Sequence, residues 1–305
     1  MHLSPQKSGV AFALAGALFV AVSIPLCKLF LADASPVMTA GLLNIGAGIG
    51  VGLIWLCTCR TTFVKNERRL EKTDVRWMVG ICITEILAAV SMVAGLAMTS
   101  AANASLLQNF ETVITAVIAL ILFKELIRFR LWIGIVLITV GSFLLTIHDP
   151  ASFTFSPGSL LVLLACALWG LENNFTKKVA DKNPFQTVCC KSMIAGIATL
   201  ILGFAIGEQF PAMETIVPIL IVGLLGYGMN VLFLVLSERH LGAAKACTIY
   251  GINPFLAAIL SCLIFAELPS GLFIMAAVLM ILGFYFASTA ARKKKTGERT
   301  GEYLR

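Results

Sequence analysis

Residues 248–283 repeat residues 106–141 in register, and this internal repeat limits the fold more than any other feature of the chain. Glu125 of Phe123-Lys124-Glu125-Leu126 falls on Glu267 of Phe265-Ala266-Glu267-Leu268, and Gly141 falls on Gly283. Upstream, Ser100-Ala101-Ala102-Asn103-Ala104 falls on Gly242-Ala243-Ala244-Lys245-Ala246. Further back, Ala167-Leu168-Trp169 answers Ala17-Leu18-Phe19, and Asn183-Pro184 answers Ser35-Pro36. If each copy crosses a bilayer an odd number of times, the second is upside down relative to the first. Inverted repeats of hydrophobic helices build secondary transporters, whose substrate sites lie where the repeats meet.

That the copies are membrane-spanning follows from composition. Charged residues are 13% of the chain and apolar residues 59%, whereas a soluble domain is about a quarter charged. Ten apolar segments of roughly 17 to 25 residues, enough for a helix to cross a bilayer, fall near 8–30, 35–58, 75–98, 102–123, 131–147, 158–179, 185–206, 213–236, 243–265 and 270–289. We number these spans 1 to 10. Alternation of period two is absent, which excludes a barrel. The reading is an all-α integral membrane protein whose ten transmembrane helices form two inverted five-helix repeats, residues 1–150 and 151–290, followed by a basic tail at 291–305. Span 1 is too long for a signal peptide and takes part in the repeat. The nine cysteines lack zinc or redox spacing and read as reduced, inert small hydrophobes.

Loop charge sets the orientation. The second connection (Arg60, Lys65, Arg68, Arg69, Lys72, Arg76) is basic, as are the fourth (Lys124, Arg128, Arg130), the sixth (Lys177, Lys178, Lys182) and the tail. The first, third, fifth, seventh and ninth carry no Lys or Arg. Positive residues stay inside, so the protein is expected in the cytoplasmic membrane with both termini cytoplasmic. The net charge of +7 is then a topology signal, and no nucleic-acid partner is expected. Nucleotide, dinucleotide and metal motifs are absent, so neither cofactor nor metal is expected, and no enzymatic activity. The partners are the bilayer and a small-molecule substrate, the protein being a monomer or a homodimer.

Subtracting loop and tail residues leaves Lys28, Lys191, Lys245, Glu85, Glu111 and Glu172 inside the spans. Each costs at least ~2.5 kcal/mol in hydrocarbon, so each needs a reason. Glu111 corresponds to Asn253 and Gln108 to Tyr250, which gives spans 4 and 9 one polar stripe each. Glu85 corresponds to Tyr227. On span 6, Trp169, Glu172 and Asn173 share a face at i, i+3 and i+4, and Ser23 is the span 1 partner of Asn173. These residues are the candidate substrate site. Glu111 and Glu85, with no obvious basic neighbour in sequence, are candidates for proton coupling, for pairing with a lysine, or for protonated glue between helices. Glu172 either pairs with Lys191 or contacts substrate beside Trp169. Lys28 and Lys245 are expected to snorkel. Glu125 and Glu267 end helices against the macrodipole, which points to a structural job shared by the two copies. Pro25 and Pro254 are expected to kink their helices.

At these residues the chain resembles the drug/metabolite transporter superfamily, EamA-like branch, over nearly its whole length. The likeness rests on two copies of a small-rich helix, then Phe-x-Glu-Leu, then a helix ending in Gly141 or Gly283. The Ala167-Leu168-Trp169-Gly170 entry to span 6 belongs to it too. Leu171-Glu172-Asn173-Asn174 and Gln108-Asn109-Phe110-Glu111 resemble subgroup patterns, in which Asp often replaces Glu172 and Leu often replaces Gln108. The resemblance implies ten helices, a central site and export or exchange of small metabolites, amino acids or drugs. With the central carboxylates, it leads to the expectation of a secondary active transporter for a small polar or cationic metabolite, working as a proton-coupled exporter or exchanger. The alternatives are an importer of a choline-like cation, an uncoupled channel or facilitator, and a lipid flippase.

Overall fold

The computed structural model describes residues 5–58, 68–123, 129–149, 154–176, 178–179, 181–241, 246 and 249–292. Glu125, Lys245, Arg60, Lys65, Lys124, Arg128, Lys177 and the tail from 293 lie outside the described residues. The chain forms α1 (Pro5–Phe30), α2 (Pro36–Thr58), α3 (Val75–Met98), α4 (Ala101–Leu107), α5 (Phe110–Phe123) and α6 (Phe129–Thr146). Its second half forms α7 (Pro157–Thr176), α8 (Pro184–Ala205), α9 (Met213–Val222), a π-helical segment (Gly223–Met229), α10 (Asn230–Leu241), α11 (Asn253–Phe265) and α12 (Gly271–Arg292). The fold is not purely helical. Where the two copies join, β1 (Ile147–Asp149) pairs antiparallel with β2 (Thr154–Phe155).

Local sequence explains the helix ends. α1, α2, α7 and α8 each begin on proline, whose fixed φ suits a first helical position and whose missing N–H would have no partner there. At α8 the Asn183 side chain accepts from the amides of Phe185 (3.0 Å) and Gln186 (3.3 Å), and at α4 Ser100 Oγ accepts from the amide of Asn103 (3.1 Å), as N-caps do. Some buried hydroxyls are satisfied within their own helices: Ser105 donates to the Ala101 carbonyl (2.6 Å) and Ser261 to that of Ala257 (2.7 Å).

Among the described residues, six helices are long and apolar enough to cross a membrane: Lys7–Phe30, Pro36–Thr58, Lys72–Met98, Pro157–Thr176, Pro184–Ala205 and Met213–Ser237. Shorter apolar helices run over Trp132–Leu145, Asn253–Phe265 and Gly271–Phe286. Large apolar side chains such as Leu53, Ile121, Ile201 and Leu263 are exposed on the outside, a surface that only lipid would cover favourably. Against one another the helices pack through small residues. Gly46 lies on the backbone of Leu220 and Gly223 on that of Leu43, too close for any Cβ.

The packed pairs maintain the repeat. α1 packs on α10 and α3 on α7; α1 packs on α11 and α5 on α7; α2 packs on the π segment and α8 on α3. α2 also packs on α8, α4 on α11, and α6 on α12. Exchanging each span for the one five places along returns the same set. At the α6–α12 contact the exchange is visible atom by atom. Gly141 meets Ala276 and Met280, while Gly283 meets their counterparts Gly134 and Ile138.

Two departures from the sequence expectation matter for function. Span 4 is broken at Gln108–Asn109 rather than continuous, and span 8 contains the π segment. α1 carries Pro25 within it.

Candidate functional site

The break in span 4 comes from its polar residues. The amide of Asn109 donates to Leu106 O (3.1 Å), that of Glu111 to Gln108 O (3.1 Å) and that of Thr112 to Asn109 O (3.2 Å), each a tightened i to i+3 bond. The Asn109 side chain also donates to Leu106 O (2.9 Å). Span 9 turns at the matching level, through Gly251–Ile252 ahead of Asn253-Pro254. There the Asn253 side chain donates to Tyr250 O (3.0 Å). Discontinuous helices at mid-membrane are where transporters bind substrates and ions.

α7 carries two polar clusters on adjacent residues, which point about 100° apart on a helix. Glu172 turns toward α8 and α3. Lys191 Nζ donates to Glu172 Oε1 (2.7 Å) and to Glu85 Oε2 (3.2 Å), and Asn44 of α2 interacts with Glu85 from the far side. Asn173 turns toward α5. Its amide donates to Glu111 Oε1 (2.7 Å) and to Thr115 Oγ1 (3.3 Å). Next to it, Asn174 Nδ2 bonds the carbonyls of Gly170 (2.8 Å) and Thr115 (3.3 Å), tying α7 to α5. The clusters differ in access: Glu85 and Glu172 are buried, whereas Asn173 is exposed and Glu111 half-buried.

Several expectations change. Of the roles left open for Glu85 and Glu172, the structure shows lysine pairing for both, with Lys191 as their shared partner. Trp169, Glu172 and Asn173 do not share one environment, since Trp169 packs, with Tyr227, on the main apolar core. Tyr227 sits in the π segment, within electrostatic range of Glu85. Asn253 is buried, and Tyr250 lies against Gly16 of α1. Gln108, half-buried, marks the break itself. Lys28 does not snorkel: its ammonium donates to Leu96 O, Ala97 O (3.1 Å) and Thr99 O (2.8 Å), the C-terminal carbonyls of α3, where a cation is favoured. Asn44 and Thr115 were missed. Asn44 is a lone amide in an apolar span, and Thr115 stands four residues after Glu111, on the same face.

Polar clasps join the helix ends at both faces. On one, Arg68 pairs with Asp181 (2.9 Å), and Lys182 pairs with Glu71 (3.0 Å) and Asp74 (3.1 Å). The Leu70 amide donates there to Gln186 near the start of α8 (3.0 Å). The Glu71 hydrogen bond, aided by Asp74, holds the Lys182 ammonium above the usual lysine range. On the other face the Glu208 carboxylate accepts from the amides of Val37 (3.3 Å) and Met38 (2.9 Å) at the start of α2. An open cavity of about 490 Å³ adjoins that clasp, lined by residues 31–35 and 209–212. A smaller one of about 170 Å³ is lined by Ser100, Asn103, Glu267 and Ser270. Neither reaches the two polar clusters.

The profile of the EamA-like transporter family matches the chain twice, at residues 7–147 and 156–289. A curated relative from Methanothermobacter thermautotrophicus, named an uncharacterized transporter, is 24% identical over 283 residues, covering 88% of this chain and 82% of its own. A solved crystal structure with 15% identity aligns over 94% of this chain and 99% of its own with a TM-score of 0.66, a likeness of fold alone.

Proposed function

The chain belongs to the EamA-like transporter family and is a multi-pass membrane protein, and from that premise we infer that it carries a small polar or cationic metabolite across the cytoplasmic membrane by alternating access, as a proton-coupled exporter or exchanger. The carrying observation is the accessible Glu111–Asn173 pair, seated at the break in span 4 beside the buried Lys191 cluster. Lys28 is taken up by backbone carbonyls and Lys191 by two carboxylates. Among the described residues of the mid-membrane region, Glu111 is then the accessible charge, and its sign favours a cation. Gln108, Tyr250 and Asn253 at the two helix breaks, with Trp169, Asn173 and Tyr227 around them, complete the proposed substrate site, and Glu172 lies behind it in the cluster of Lys191. Glu111 and Glu85 are the proposed coupling carboxyls.

Alternating access needs two equivalent halves that rock against each other. Ten spans in two inverted repeats, 1–150 and 151–290, supply them. The twofold family match and the exchange of packed pairs support this arrangement. So do the clasps: the second connection holds the start of α8 at one face, and its counterpart, the seventh, holds the start of α2 at the other.

Two experiments test the reading. A thermal-shift screen of the purified protein against amines, amino acids and sugars selects a ligand. Proteoliposomes should then concentrate it against its gradient when a pH difference is imposed. Uptake that only ever equilibrates would replace the transporter with a facilitator. Cysteine accessibility should report Lys65 and Thr296 as cytoplasmic and Ser152 and Gln209 as external. A cytoplasmic Ser152 would remove the inverted repeat.

A further inference from the structure

Two carboxylates face one ammonium inside the bundle, and the charges do not balance. The side chains of Glu85 and Glu172 are 3% and 6% exposed, against 17% for Lys191. With both carboxyls ionised, the triad would hold one uncompensated negative charge at a buried site, which is disfavoured. Glu172 Oε2 has no donor among the described residues. Both carboxyls contact the same ammonium, at 3.2 and 2.7 Å, which draws them close enough for a proton on one to be hydrogen-bonded to the other.

We propose that Glu85 and Glu172 together form a binding site for a single proton, with Lys191 as the fixed counter-charge that makes the protonated triad neutral. The proton adds to one carboxylate oxygen and is hydrogen-bonded to the other carboxyl, so the net charge goes from minus one to zero. The groups that interact with the triad are Asn44 from α2, Cys82 from α3, Glu111 from α5 and Tyr227 from the π segment. Among these, the ionisable group of acidic range is Glu111, in the accessible cluster. This deepens the transporter reading and rests on it for the use of the site. Releasing the proton leaves one negative charge behind Glu111, and a cationic substrate at Glu111 then stabilises the deprotonated state, so that proton and monocation exchange one for one.

Infrared spectra of the purified protein in detergent at neutral pH test the site without any substrate. Glu85→Gln and Glu172→Gln should each lower the protonated-carboxyl absorption by the same single-group amount, because each leaves one carboxylate for one ammonium. The charge-neutral triple variant Glu85→Gln, Glu172→Gln, Lys191→Met should lose no more than either single variant. Losses that add in the triple variant mean one proton on each carboxyl and overturn the proposal, as does no loss in either single variant. Replacing potassium by sodium at constant pH should leave the absorption unchanged; displacement by sodium overturns the proton in favour of a metal cation. Proton flux into wild-type proteoliposomes under a choline gradient tests the transport reading separately. The spectral pattern without flux keeps the shared proton and removes its use with choline. Flux with additive spectral losses keeps transport and overturns the shared proton.

Discussion

Replacing Lys191 by methionine is expected to destabilise the protein by about 3–5 kcal/mol, the cost of leaving a buried charge without its partner. The variant keeps the volume and removes the one cation that Glu85 and Glu172 share, so α3, α7 and α8 lose their common polar contact. Thermal unfolding of the detergent-solubilised protein, followed by thiol labelling of buried cysteines such as Cys82 and Cys166, reads the loss. Glu172→Gln, Lys191→Met should recover part of it, because a single carboxyl beside Asn44 can be held neutral. Coupling between the two sites in such a cycle measures the ion pair. A Lys191→Met protein within about 1 kcal/mol of wild type, the range of exposed pairs, would show that the triad is solvated. Glu172 would then return to the substrate-contact role that its spacing from Trp169 first indicated.

How Glu172 came to be read both ways shows where sequence reasoning stops. Spacing along one helix places Trp169, Glu172 and Asn173 on one side of α7, which is correct as far as it goes. It carries no information about which helix stands opposite each residue. Glu172 meets α8 and α3 while Asn173 meets α5, and that division depends on packing between spans far apart in the chain. Lys191 is likewise visible as a costly intramembrane charge, yet its second partner, Glu85, is 106 residues away. The repeat itself was legible because it is one-dimensional: a register between two stretches of sequence, visible again in the Gly141 and Gly283 contacts.

The break at Gln108–Asn109 was less legible, because an apolar segment of sufficient length reads as continuous unless proline interrupts it. Pro254 gave the matching turn in span 9 away, while span 4 has only two adjacent polar residues to mark it. The π segment has a comparable local signature, Gly223 to Gly228 with Tyr227 within it, and single π turns occur often at functional sites. Lys28 is held instead by the exposed carbonyls at the end of α3. A helix terminus supplies the partial negative charge that would otherwise come from water or headgroups.

Glu111→Gln is expected to abolish concentrative transport while the fold holds. Glutamine keeps the size of the side chain and an acceptor oxygen for the Asn173 amide, so the α5–α7 contact survives, aided by the Asn174 bonds to Gly170 and Thr115. What disappears is the accessible negative charge at the break in span 4. A cationic substrate then loses a charge-assisted partner in a poorly solvated site, worth about 1.5–3 kcal/mol, or roughly ten- to a hundred-fold in affinity at 1.4 kcal/mol per tenfold. Accumulation driven by a pH difference should fall at least about tenfold, again at 1.4 kcal/mol per tenfold, with thermal stability within about 1 kcal/mol of wild type. Glu111→Asp should recover part of the activity, since it restores the charge one methylene short of Asn173. Initial rates in proteoliposomes across a pH series, set beside unfolding curves for the same preparations, separate this from a packing defect. Unchanged pH-dependent uptake in Glu111→Gln would make Glu111 a structural partner of Asn173 and move both recognition and coupling to Glu85 and Glu172, the lysine-bridged pair behind it.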